Sequence, residues 1–116
     1  MEWTAWDETW IQDAGLTGVQ MFKVRDLCET VRQCDAIADA GLYELALERA
    51  TAVIDAIVEP ESIAAPVAAF EKLQSLAPRC MAAISADHRL LAEIRGQWQE
   101  AVQEFLVAVS EARKTN

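Results

Sequence analysis

Apolar residues recur along this 116-residue chain in steps of three and four, the spacing that lines one face of an α-helix. The clearest series runs Ile84, His88, Leu91, Arg95, Trp98, Val102, Phe105 and Val109, and it predicts one helix of about seven turns. Gly96 falls inside that run at a cost of about 1 kcal/mol relative to alanine, but nothing around it signals a stop. No segment alternates with the period of two that a half-buried strand requires. The predicted fold class is therefore all-α.

The rest of the chain divides on the same logic. Trp3, Trp6 and Trp10 make an aromatic stripe opposite Glu2, Asp7, Glu8 and Asp13, which predicts a short amino-terminal helix broken at Gly15 and Gly18. Three tryptophans on one face of so short a helix fit a lid packed across the rest of the fold, or a contact surface for a partner. Thr17 and Gln20 have the spacing of a capping box, and Met21, Val24, Cys28, Val31, Cys34 and Ala38 step along one face of the helix that follows. That helix is expected to end near Gly41. The next carries Tyr43, Ala46 or Leu47, Ala50, Ile54 and Ile57 inward until Glu59 and Pro60 stop it. Beyond Pro60, the series Ile63, Phe70, Leu73, Ala77, Met81 and Ile84 is interrupted by Pro78, where a helix must kink or a new one begin. The expected architecture is one domain over residues 1–116: an antiparallel bundle of three to four long helices (17–116) with the short tryptophan-rich helix (1–16) at its start.

Two stretches share a pattern. "AGLYELALERA" at 40–50 and "RGQWQEAVQEF" at 95–105 both place Gly-x-aromatic before an alanine and an aliphatic residue, as tetratricopeptide helices do. A solenoid needs a fixed period of about 34 residues and three or more units. Gly41 and Gly96 lie 55 positions apart with no third copy, so the period argues against an array and leaves a tetratricopeptide-like adaptor as an alternative.

Charge and composition narrow the function. Nineteen acidic against ten basic residues leave a net charge of −9, and the basic residues do not cluster beyond Arg113 and Lys114. Nucleic acid is excluded on that pattern, because phosphate binding depends on grouped Lys and Arg. The surplus also opposes binding to an anionic membrane. Hydrophobic residues make up 53% of the chain but never run unbroken for the length of a membrane span, and "MEWTAWDETW" lacks the basic start of a signal peptide. A cytoplasmic location is expected. Cys28, Cys34 and Cys80 are odd in number and form no CxxC, so they are expected as reduced core residues.

Catalytic chemistry finds little to carry it. His88 is the sole histidine, and Asp87 beside it points elsewhere on a helix. Arg95 falls on a core-facing position, with Arg49 and Arg89 at uncertain facing, which is thin support for a small helical-bundle enzyme of the chorismate mutase kind. There is no HExxH, no GxSxG and no glycine-rich phosphate loop, so no metal or cofactor is expected and the chain is read as a non-enzyme.

Between Met21 and Val109, the order is a helix, then "IADAGLYELALERATAVIDAI", a proline-containing break, and "ADHRLLAEIRGQWQEAVQEFLVAV". In this order the chain resembles the FliT group of flagellar export chaperones. The matching residues are Gly41 and Tyr43 at the turn, Leu90 and Leu91 in the long helix, and the aliphatic stripe downstream. The tryptophan-rich start departs from that pattern. The resemblance implies a non-catalytic cytoplasmic chaperone that binds a helical segment of an exported filament-cap subunit and keeps it unassembled. An amphipathic helix could dock in a groove that leaves apolar residues half exposed. The candidates are Leu45, Leu90, Ile94 and Leu106 beside the main stripes, with Trp98 and Phe105 on the stripe itself; a homodimer is compatible with the same surface.

Overall fold

The computed structural model describes residues 18–37, 39–86 and 88–113. Among them are four long helices: α1 (Gly18–Ala36), α2 (Ala40–Ile57), α3 (Ala64–Ala86) and α4 (His88–Glu111), with a single 3-10 turn at Pro60–Ser62. The chain is all-α, as the periodicity predicts. The tryptophan helix with Trp3, Trp6 and Trp10, and Thr17 of the expected capping box, lie outside the described residues.

The helices form two hairpins, and cross-hairpin contacts fix their antiparallel register. In the first, Gln20 Nε2 donates to the Ala56 carbonyl at 3.0 Å, and Arg49 Nη1 reaches Asp26 Oδ1 at 2.7 Å and Thr30 Oγ1 at 2.8 Å. The buried Thr30 hydroxyl passes its own proton to the Asp26 carbonyl, so burial of this polar side chain costs no lost hydrogen bond. In the second hairpin, Lys72 Nζ meets Glu104 Oε2 at 2.9 Å. That pair is exposed and adds little stability, but it marks the register. α2 packs on all three other helices, whereas α1 and α4 do not pack side by side.

The core gathers the predicted stripes. Val24, Cys28, Val31 and Cys34 of α1 are buried, joined by Leu27; α2 contributes Tyr43, Ala46, Ala50, Val53, Ile54 and Ile57. All three cysteines are buried and no disulfide joins them. On α3, Leu73 and Ala77 are buried as expected, but Leu76, Cys80 and Ala83 complete that face, while Phe70, Met81 and Ile84 are only partly covered. Ile63 precedes the helix and stays exposed.

Three boundaries are settled, each for a local reason: two differ from expectation, and at Pro78 the alternative of a new helix is excluded. Gly41 does not end α1; the break comes at residues 37–39, and Asp39, extended at φ −125° and ψ 116°, caps α2 by accepting from Gly41 N at 2.9 Å. Asp satisfies an orphan first-turn donor there. Pro78 neither ends nor starts a helix, since α3 runs through it. Both Pro78 and Gln74, whose carbonyl loses its partner, are exposed, so water can replace that bond. The single series from Ile84 to Val109 is in fact two helices, with Ile84 in α3 and His88 starting α4. α4 runs back antiparallel to α3 and returns the stripe to the same core, and periodicity alone does not register the reversal.

The two Gly-x-aromatic stretches meet in space. Tyr43 and Trp98 stack edge to face with ring centroids 5.1 Å apart and planes at 73°. At the far ends of the same helices Val58 bridges Arg113, and Glu59 N donates to the Ala112 carbonyl at 2.9 Å. Tyr43–Trp98 and Val58–Arg113 each join residues 55 positions apart, so α2 and α4 run in the same direction with these matching positions in register. The repeat is not a solenoid period. It is the relation between two hairpins that share one core.

The glycines of these stretches divide in their prospects. A Cβ on Gly96 meets nothing within 4 Å, whereas one on Gly41 comes to 3.3 Å of the capping Asp39 Oδ1. Gly96→Ala is therefore expected to stabilise the fold by about 1 kcal/mol in urea denaturation, and Gly41→Ala to gain less or to lose stability as the cap shifts.

Candidate partner surface and buried polar junction

Each of the expected groove residues has a definite place. Leu90 is exposed, at 43%, near the start of α4, and Leu45 is half-buried on α2. Ile94 and Leu106, expected beside the stripe and half open, are instead in the core at 3% and 0%. Trp98 and Phe105 are fully buried as well. These four residues cannot touch a partner without opening the bundle. α4 is covered by both α3 and α2, so its buried face is wider than a two-residue stripe and takes in the flanking positions.

The apolar side chains that do face outward are mostly others. On α1, Val19 and Phe22 are 67% and 64% exposed and one turn apart, so they share a face. Val107 on α4 is also exposed and sits in a shallow hollow with Gln103, Glu104, Ala108 and Glu111. A signal for Val19 and Phe22 existed in the sequence: both are large apolar residues off the Met21, Val24 and Cys28 line, on a face that otherwise carries Arg25, Asp26 and Glu29.

The second feature is polar and internal. Arg95, on the second turn of α4, donates from Nη2 to the Cys34 carbonyl at 3.2 Å. It thereby satisfies a carbonyl in the last turn of α1, where a positive charge suits the helix dipole. Trp98, one turn on, stacks on Tyr43. Tyr43 Oη, Arg95 Nε and Trp98 Nε1 are all buried and none has a hydrogen-bond partner. Each such group costs about 1–3 kcal/mol when left unmet. Burial pushes the Tyr43 phenol above its ordinary value, and the nearby Arg95 guanidinium pulls it partly back.

The expected inward facing of Arg95 is thus met by a half-buried side chain at a junction of α1, α2 and α4. Arg49 serves the α1–α2 hairpin, and Arg89 is exposed. His88 is the first residue of α4. Among the described residues no group of His, Cys, Asp and Glu is placed to hold a metal ion, and no helix is long and apolar enough to cross a membrane. No family model, curated protein or solved structure matches the chain.

The Tyr43 shift has a sign that can be measured. A phenol whose proton is held more tightly in the folded state contributes stability that is fully present below the unfolded value of about 10 and is lost as pH rises past it. Urea denaturation at about pH 8.5 and pH 10.5 is expected to show a steeper loss for the parent chain than for Tyr43→Phe. Parallel losses would mean that Tyr43 ionises in the folded state as freely as in the unfolded chain.

Proposed function

We propose that this protein is a non-catalytic, cytoplasmic helix-binding chaperone, with an exported flagellar subunit of filament-cap type as its client. One observation carries the binding role: Val19 and Phe22 stand exposed on one face of α1 while the core is filled without them. Exposed apolar pairs at helical spacing offer the anchors that an amphipathic partner helix needs. The edge between α1 and α4 supports the same reading, because those two helices share no extended packing beyond the Arg95–Cys34 bond. The net charge of −9 favours a client helix with basic flanks, which electrostatic steering would bring in faster at low salt. The flagellar client rests on the resemblance in helix order and on the Gly41, Tyr43, Leu90 and Leu91 positions. Leu90 and Leu45 remain contact candidates; Ile94, Trp98, Phe105 and Leu106 act as core.

A tetratricopeptide-like adaptor is the second reading, and the pairing of matching positions across α2 and α4 favours a closed pair of hairpins over an open array.

The test is titration of a fluorescent peptide, the carboxy-terminal helix of a filament-cap subunit, with the full chain and with Val19→Glu/Phe22→Glu. Both sites are exposed, so helicity and melting temperature are expected to hold while affinity falls by about tenfold or more. Equal affinity in the variant would remove α1 from the interface, and no binding by the parent chain would remove the flagellar client.

A further inference from the structure

The unmet donors at the α1, α2 and α4 junction suggest an occupant. Arg95 and Trp98 lie one turn apart on α4, so they share a face, and Trp98 packs edge-on against Tyr43. Arginine Nε and tryptophan Nε1 can only donate, and a phenol held protonated at neutral pH donates too. Three buried groups able to donate therefore lie on neighbouring side chains, with the phenol oxygen the one acceptor among them.

Charge points the same way. Arg32, Arg49 and Lys72 each find a carboxylate, Glu29, Asp26 and Glu104 respectively. Arg95 is half-buried in a chain with nine surplus negative charges, yet its acceptor is the neutral carbonyl of Cys34. A guanidinium out of water is costly without a counter-charge. Water meets this only in part, because it brings no counter-charge to Arg95. A small anion accepts from all three groups and balances the charge.

We propose that Tyr43 Oη, Arg95 Nε and Trp98 Nε1 together hold one small anion of halide or carboxylate size inside the junction of α1, α2 and α4. The partly exposed edge of Arg95 gives the route in. The carboxylate can come from a free small acid or from an acidic side chain of a bound protein, and the site's chemistry is the same for both. The site stands independently of the chaperone reading.

Indole N–H resonances of the full-length protein report on it directly, with the Trp98 signal assigned by its loss in Trp98→Phe. Sodium formate and sodium chloride are titrated separately at constant ionic strength, with sodium gluconate as the bulky-anion control. The Trp98 resonance is expected to move saturably, and its affinity to fall by about tenfold or more in Arg95→Gln. Saturation by formate alone assigns a carboxylate site, and saturation by both assigns small anions generally. If Arg95→Gln fails to fold, Tyr43→Phe serves in its place with a several-fold weakening expected. No saturable movement with either salt, or an unchanged response in a folded variant, would overturn the proposal.

Discussion

Packing of α2 against both helices of the second hairpin, broadest on α3 and including the Tyr43–Trp98 ring contact on α4, is the constraint on which the rest of this bundle depends. Each hairpin has its own register contacts, but a pair of helices cannot bury both of its apolar faces alone. The two hairpins share a core because α2 reaches α3 and α4 as well as α1. Large rings at 43 and 98 meet at one end of the α2–α4 pair, and the small residues Ala46, Ala50 and Ala101 are buried in the shared core. The bridge from Val58 to Arg113 and the bond from Glu59 to Ala112 hold the other end. Tyr43, Trp98 and Phe105 are each fully buried, and an aromatic side chain contributes on the order of 4–6 kcal/mol by area before entropy is subtracted.

That contact also explains why polar chemistry sits in the interior. Putting Tyr43 and Trp98 at the junction brings a phenol and an indole N–H into a place without solvent, and Arg95 one turn earlier follows from the helical spacing. Arg95 is useful to the fold because it closes the last turn of α1 across the junction. Its Nε–H is then buried near two other unmet donors. A fold-level requirement thus generates a donor cluster whose occupant is a separate question from the exposed apolar face of α1.

Much of the architecture was legible. The inner faces of α1 and α2 follow the 3.6-residue period so closely that Val24, Cys28, Val31, Cys34, Tyr43, Ala50, Ile54 and Ile57 are all identified by spacing and all buried. Helix ends were less legible where capping competes with glycine: Gly41 looks like a stop, and only the Asp39 side chain makes the preceding residue the start of α2. The α3–α4 turn was hidden because both helices present the same stripe to the same core. The expected groove suffered from a related limit. Periodicity locates the centre of a buried face but not its width, and the width is set by how many helices cover it, which is why Ile94 and Leu106 are core and Leu90 is not. Arg95 was identifiable as inward-facing, but its lack of a carboxylate partner appears only once the helices are placed.

The two proposed roles therefore divide between surface and interior, the exposed apolar face of α1 for a helical client and the internal donor cluster for a small anion, joined through the α2–α4 contact. That contact is tested most directly by a double-mutant cycle of Tyr43→Leu and Trp98→Leu in urea. Edge-to-face packing across the junction predicts a coupling energy of about 1 kcal/mol. Additivity within about 0.3 kcal/mol would mean that the two rings are buried independently, and that something other than their meeting holds the hairpins together.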